Sequence, residues 1–458
     1  MVTARRFEQY AGSPGAALLV WVACGLISLA GGLCYAELGA ALPFTGGETV
    51  YLERAFGRTV AFLYVWTSAL LARPASLALS AIIFAEYIGR LRWDGGERGS
   101  AMTMEGIACA AIGCLCLLQL LSTWLSAKLI STLTIGKLIL VAAIGLIGLI
   151  DFGINGNDTG QLAHNSSFVG TSHNPGNWVL AFTNCLFSFN GWNSLNLAAG
   201  EVRQPAKTIP IAIPTGLIIV TLSYVWINIS YFTAIPLDEI KGSETLAVDF
   251  AAKVVGETFS KAITFLVAMS AIATCNGTLF AGAQAVRESG RSRILPKIFA
   301  SELQLCGETP TPAAALLIQC SMAAVLVLLL ESFEVLVRIY VWTQWCFYAL
   351  TIMALVKLRW SEPGLERPFS VWIIVPVVFV AASVFTVIVL LFITPATCAI
   401  AIGVLILGLP VYGCHMRMLR KSGVMWSFSD RDSSSMQPLL VEEYGDRDQD
   451  KEENSKLL

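Results

Sequence analysis

A single lysine stands inside one of the long apolar runs of this sequence. Lys137 lies in the run 133–150, which is made up largely of Ile, Gly, Leu and Val. An ammonium group at the centre of a bilayer costs roughly 3 kcal/mol on insertion scales, so such a group usually faces a pathway or a partner. The alternative is that its long side chain reaches the headgroups from the cytosolic end of the run. Lys137 is a candidate for a functional charge within a membrane.

The segment from Leu180 to Asn196 combines aromatic residues with a cluster of poor helix formers. The cluster consists of Asn184, Asn190, Gly191, Asn193, Ser194 and Asn196. Amide and hydroxyl side chains compete for their own backbone, so the pattern predicts a helix break near Asn190. Unwound backbone at membrane depth is tolerated where it lines a cavity, and we expect Phe187, Phe189 and Trp192 to form apolar walls there. The alternative is a continuous helix whose polar face packs on its neighbours.

Two further polar positions lie within apolar runs. Arg73-Pro74 predicts a kink in the middle of its run. Gln344 stands among aromatic residues, where its ordinary role is a hydrogen bond between helices.

The composition indicates that these positions lie within a membrane. The chain has 458 residues, of which 55% are apolar and only 14% charged, whereas soluble domains carry about 25% charged residues. The net charge of -2 gives no basic surface for nucleic acid. The glycine pairs lack the strand–turn–helix setting of phosphate or nucleophile motifs, and neither the three histidines nor the twelve cysteines show metal-ligand spacing. We therefore expect no enzyme, no metal and no cofactor.

The apolar runs are continuous rather than alternating, which predicts an all-α polytopic helical bundle. Eleven runs are long enough to cross a bilayer. They lie near 16–41, 59–88, 104–125, 130–150, 177–198, 208–233, 260–285, 312–330, 335–356, 371–393 and 397–414.

The distribution of Lys and Arg places the C-terminus in the cytosol. The loop 151–176 is then extracellular, and it carries two acceptor patterns for N-glycosylation, at Asn157 and Asn165. We expect a membrane domain over 16–414 between an N-terminal segment, 1–15, and an acidic, disordered cytosolic tail, 415–458. Glu453–Leu458 fits an acidic dileucine sorting pattern, which adds endosomal or lysosomal routing to an expected plasma-membrane location.

The sequence resembles the L-type amino-acid transporter light chains of the amino acid–polyamine–organocation superfamily, from about Ala11 to Tyr412. The order and spacing of several short motifs carry the resemblance. They are Ala11-Gly-Ser-Pro-Gly15, Cys34-Tyr-Ala-Glu-Leu-Gly39, Gly46-Gly-Glu48, Arg73-Pro74, Gly191-Trp-Asn193, Glu201-Val-Arg-Gln-Pro205, Asn276-Gly277 and Glu366-Arg-Pro368.

The resemblance implies two inverted five-helix repeats with the substrate at unwound helices. It implies Phe187 as an aromatic gate, Trp192 and Asn193 as contacts of the unwound helix, and Ser194 as a specificity position. Phe189 and Gly191 are expected beside them, with Gln344 near the substrate. Lys137 would stand where sodium-coupled relatives bind a cation, which implies sodium-independent exchange.

The sequence departs from the family pattern at two places. The first helix of the family is expected to be absent, since residues 1–10 carry none of its unwound motif and eleven spans would leave Arg5 and Arg6 outside. The loop 90–105 lacks the cysteine that joins light chains to a single-span heavy-chain glycoprotein, which leaves only noncovalent pairing open.

Together these features favour a secondary active transporter that exchanges neutral L-amino acids without sodium by alternating access. Cationic amino acids and cystine stay open as further substrates. The alternative is a truncated membrane partner or isoform that does not transport, and a channel is disfavoured because no charge ring or filter repeat is visible.

Overall fold

The computed structural model describes residues 10–92, 101–156, 167–243, 245–303, 311–330 and 332–421. This part of the chain is almost entirely helical and contains no β-sheet strand, which confirms the predicted fold class. The glycosylation positions Asn157 and Asn165, the first nine residues and the tail from residue 422 onward, including the sorting pattern, lie outside the described residues.

The helices follow one another with short connections. They are α1 (Pro14–Ala41), α2 (Glu48–Phe56), α3 (Arg58–Thr67), α4 (Arg73–Arg92), α5 (Ala101–Leu121), α6 (Thr123–Asn155), α7 (Pro175–Ser188), α8 (Ser194–Leu197), α9 (Pro205–Ala234), α10 (Leu237–Gly242), α11 (Leu246–Val254), α12 (Glu257–Arg291), α13 (Ala313–Leu329), α14 (Phe333–Ser361), α15 (Ile374–Ile393) and α16 (Pro395–Lys421). One π-helical turn, Ser68–Ala72, joins α3 to α4 just before Pro74.

Nine of the helical segments in the described residues are long and apolar enough to cross a membrane, with α3 and α4 counted as one. The other two expected spans, 177–198 and 312–330, correspond to the shorter helices α7 and α13. Each of the eleven apolar runs thus has a helix in the structure, and the number of true spans stays a prediction. The last helix continues to Lys421, seven residues beyond the expected end at 414.

Helices five spans apart in the chain pack against each other. The most extensive packing joins α1 to α9 and α4 to α12, and α5 packs on α13 in the same way. An offset of five is expected between equivalent helices of two five-helix repeats. Small residues allow the close approach of α1 and α9: a Cβ added at Gly25 would lie 2.5 Å from the Cγ2 of Thr221.

The chain divides after Pro410 into two compact units. The larger, Met1–Pro410, contains the helical bundle, while the smaller unit, Val411–Leu458, is described only over 411–421, the end of α16.

A buried ion pair ties α1 to α14. Glu37, whose side chain is fully buried, accepts a hydrogen bond of 2.9 Å from Nε of Arg359 and a second bond from its terminal nitrogen. The backbone N–H of Val371 donates to the same carboxylate at 2.8 Å, and Arg359 donates to the Val371 carbonyl at 2.7 Å. Helix α1, helix α14 and the segment before α15 are therefore held at one point.

Glu37→Ala is expected to lower the free energy of unfolding by about 3–5 kcal/mol, because it leaves the Arg359 guanidinium uncompensated. Thermal unfolding of the detergent-solubilised protein, followed by tryptophan fluorescence, measures the loss. The matched control is Glu239→Ala, which removes an exposed pair with Lys253 and should change the midpoint little. Equal midpoints for the two variants would show that the Glu37 pair does not stabilise the bundle.

Candidate functional site

Helix α7 ends in the middle of its apolar run, as the cluster of asparagines predicts. The helix starts with Asn174 as its N-cap and Pro175 in the first turn, and it ends at Ser188. The chain then turns through Gly191, whose φ of 110° is a conformation that glycine adopts readily, and helical structure resumes only in the short α8. The predicted break near Asn190 is confirmed.

Tyrosine hydroxyl groups satisfy the polar atoms of this broken segment. The hydroxyl of Tyr224 donates to the Ser188 carbonyl at 2.8 Å. The hydroxyl of Tyr348 lies 2.9 Å from Oδ1 of Asn190 and 3.2 Å from Oδ1 of Asn193, and the Asn190 amide donates to the hydroxyl of Tyr340. Because buried amides are costly when unpaired, these tyrosines make the break a fixed part of the fold.

Two asparagines anchor the far side of the break. Asn193 donates its side-chain amide to the carboxylate of Glu48, which is fully buried in α2. Asn196 donates to the Tyr35 carbonyl at 2.7 Å and to the Tyr51 hydroxyl at 3.0 Å. The broken segment is thus attached to α1, α2 and α14.

Three consecutive backbone N–H groups at the break have no acceptor among the described residues. In the described part of the chain, no acceptor lies in hydrogen-bonding geometry to the N–H groups of Gly191, Trp192 and Asn193. Successive free N–H groups form a ready site for a carboxylate. Gly191 and Asn193 line the cavity beside the break.

The cavity next to the break has a volume of about 930 Å³. It is bounded by residues from α1, α4, α6, α9, α12 and α14 as well as the broken segment, and its size falls in the usual range for small-molecule sites, about 300–1,000 Å³. Six predicted site residues line it: Phe187, Gly191, Asn193, Ser194, Lys137 and Gln344.

Two predicted wall residues lie elsewhere. Phe189 packs between Trp21, at 5.9 Å between ring centroids, and Tyr224, at 5.2 Å. Trp192 packs against Tyr35 and Tyr348, each at 4.8 Å. Neither residue lines the cavity, whose aromatic lining consists of Trp21, Phe187, Tyr224, Tyr231 and Tyr340. The ring centroids of Phe187 and Tyr340 lie 5.6 Å apart.

Lys137 connects two helices across the cavity. Its ammonium nitrogen donates to Oγ1 of Thr274 in α12 at 2.8 Å, and the side chain is half-buried. Arg73, just after the π-helical turn, also lines the cavity. No Asp or Glu is found among the described lining residues, so the cavity carries positive charge and favours a ligand with a carboxylate.

Sequence reasoning missed Tyr340 and Tyr348, although a signal for them exists. With Gln344 they form an i, i+4, i+8 series, which places all three on one face of α14. From the sequence, Glu48 was named only as part of a family motif. Its contact with Asn193 joins residues 145 positions apart, and a local sequence pattern does not reveal such a contact.

A membrane bundle in which a broken helix borders a cavity defines the class of secondary transporters, which move solutes and perform no reaction on them. Comparison with known proteins makes the assignment specific. The model of the family described as "Amino acid permease" matches residues 2–409, and the chain belongs to this family. The family predicted from the sequence motifs is therefore confirmed.

Three relatives illustrate the range of the family. The chain is 34% identical to the b(0,+)-type amino acid transporter 1 of Mus musculus, over 81% of this chain and 74% of that protein. It is 31% identical to the human cystine/glutamate transporter, over 94% of this chain and 84% of that protein. It is also 29% identical to the Asc-type amino acid transporter 1 of Mus musculus, over 98% of this chain and 83% of that protein.

Proposed function

We propose that this protein exchanges neutral L-amino acids across the plasma membrane by alternating access and without sodium. The observation that carries the proposal is the helix break, where the N–H groups of residues 191–193 have no acceptor in the described residues and Gly191 and Asn193 line a positively charged cavity. These groups suit the carboxylate of an amino acid. Named relatives that transport amino acids, including cystine and glutamate, support the substrate class.

Lys137 supports independence from sodium. A fixed ammonium group hydrogen-bonded to Thr274 supplies a positive charge between α6 and α12. We propose that this charge replaces the cation of sodium-coupled transporters, so that no ion has to bind before the substrate. The energy for uptake of one amino acid then comes from the exit of another.

Phe187 is suited to the role of a gate. Its ring lines the cavity and packs edge-on against Phe333 and Tyr340 of α14, at 6.4 and 5.6 Å between centroids. Rotation of this one ring would open or close the space above the broken segment. Gln344 and Ser194, which also line the cavity, are proposed to select the substrate side chain.

Purified protein in liposomes tests the proposal. Vesicles are loaded with unlabelled leucine or left empty, and uptake of labelled leucine, arginine and cystine is followed in sodium or choline buffer. We expect uptake of leucine into loaded vesicles only, at the same rate in both buffers. A requirement for sodium would contradict independence from sodium, and equal uptake into empty vesicles would contradict exchange. Arginine and cystine decide whether the substrate range extends beyond neutral amino acids.

The only heavy-chain association still proposed is a noncovalent one, because the loop 90–105 contains no cysteine. Coexpression with a single-span heavy chain, followed by electrophoresis under non-reducing conditions, distinguishes the cases. A shared band that disappears on reduction would contradict the proposal.

A further inference from the structure

Glu48 is a fully buried carboxylate beside the cavity but outside its lining. It is the first residue of the short helix α2, which lies between the first two spans. Its Oε1 accepts the hydrogen bond of the Asn193 amide, and its Oε2, also buried, has no hydrogen-bond partner in the described residues. No Lys, Arg or His of the described residues lies within ion-pair distance of it. A buried carboxylate with one free oxygen is costly to keep charged.

Several titratable or charged side chains surround Glu48. They come from α1, α3, α4, α14 and its own helix. They are Tyr35, Tyr51, Tyr64, Arg73, Tyr340 and Tyr348, and the charged residues Glu53 and Arg54 lie further along its own helix. Tyrosine and arginine do not titrate near neutral pH. Glu53 is paired with Arg58 at 3.1 Å and Arg54 with Glu362 at 2.6 Å, so these two side chains are already compensated.

Burial raises the pKa of the Glu48 carboxyl above its usual value, while the hydrogen bond from Asn193, the backbone N–H of Glu48, the charge of Arg73 and the hydroxyl of Tyr64 oppose the rise. The direction brings proton uptake closer to physiological pH than for an exposed glutamate.

We propose that Glu48 is a positioning residue that holds the broken segment through Asn193, and that proton binding to its carboxylate weakens amino-acid binding in the cavity. The inference rests on the proposed function. The ionised carboxylate accepts a charge-assisted bond from the Asn193 amide, which is about twice as strong as a neutral one. When a proton adds to the carboxylate, that bond becomes neutral and Asn193 is held less firmly.

Asn193 transmits the effect to the cavity. Its side chain contacts both Glu48 and the hydroxyl of Tyr348, and the residue lines the cavity and carries one of the three free N–H groups. Loosening of Asn193 therefore misplaces a group available to the substrate carboxylate. The turnover step requires no group on Glu48, so the effect should appear in KM and leave kcat nearly unchanged.

Exchange kinetics measured from neutral to acidic pH in the loaded-vesicle assay test the proposal. For the unaltered protein we expect KM to rise about five-fold towards acidic pH, the difference between a charged and a neutral hydrogen bond. Glu48→Gln should keep the high KM at every pH. The matched control, Glu53→Gln on the same helix, should keep the pH slope of the unaltered protein.

A second variant alters Asn193, the other residue of the hydrogen-bonded pair. Asn193→Ala leaves the carboxyl in place but removes what it holds, so the pH slope of KM should also disappear. This variant serves as the test if Glu48→Gln does not fold. A pH slope that persists in either variant, or a KM of the unaltered protein that is constant with pH, would overturn the role of Glu48. Absence of any exchange by the unaltered protein would instead contradict the proposed function.

An infrared measurement remains informative in that case. The band of a protonated carboxylic acid should appear on acidification of the unaltered protein and be missing in Glu48→Gln. Its presence in both would show that Glu48 does not take up the proton.

Discussion

Lys137→Ala is expected to reduce amino-acid exchange to background while the protein still reaches the cell surface. The substitution removes the hydrogen bond to Thr274 and the positive charge that this side chain contributes to the cavity. A hydrogen bond made by a charged group contributes about 1.5–3 kcal/mol, so its loss alone predicts at least a ten-fold decrease in rate. Removing an ammonium from an apolar span should at the same time favour insertion by roughly 3 kcal/mol. Labelled-leucine exchange, normalised to surface biotinylation, measures both effects.

A second lysine on the same helix provides the matched control for this substitution. Lys128 is exposed near the start of α6 and lies 5.0 Å from the ring centroid of Trp124. Lys128→Ala should leave the exchange rate unchanged, because its charge lies outside the cavity lining. Unaltered exchange in Lys137→Ala would instead show that Lys137 only reaches towards the headgroups and has no part in transport.

Gly191→Val is the second substitution with a large expected effect. The backbone φ of 110° at this position is strongly unfavourable for a β-branched residue, and holding it there costs about 1–3 kcal/mol. The broken segment is expected to relax towards a regular helix. Relaxation would break the tyrosine contacts and redirect the three free N–H groups, so exchange should be lost although the surrounding space admits a side chain.

Gly216→Ala tests whether the effect depends on conformation. Gly216 is exposed on α9, has helical geometry and has no neighbouring atom within 4 Å of an added Cβ. Alanine should be tolerated there, and it should stabilise the helix by up to about 1 kcal/mol. Normal exchange in Gly191→Val would mean that the left-handed turn is not required for transport.

The sequence predicted the helices of this fold because the length and hydrophobicity of each apolar run determine them. Each of the eleven apolar runs became a helix, and the asparagine cluster located the break to within a few residues. The hydrogen-bond partners of the polar atoms in the broken segment could not be predicted in this way. Their partners, Tyr224, Tyr348 and Glu48, come from distant positions in the chain. No local period specifies which of many buried tyrosines will meet an asparagine.

The positions of Phe189 and Trp192 illustrate the same limit. Both stand within the segment that the sequence assigns to the cavity, yet their rings pack away from it, between α1 and α9 and between α1 and α14. In a regular helix, side-chain directions follow from spacing. Across a break they depend on the φ and ψ of one glycine, so the residues next to Gly191 could be named but their directions could not be predicted.

Substrate protection at Ser194 tests most directly whether amino acids bind at the broken helix. Ser194 is exposed to the cavity at the start of α8, so a cysteine introduced there should react with a small thiol reagent. The reaction rate of Ser194→Cys is compared with and without saturating leucine, after subtraction of labelling in the unaltered protein. We predict that leucine slows labelling about ten-fold by occupying the cavity. An identical rate with and without leucine would contradict binding at this site.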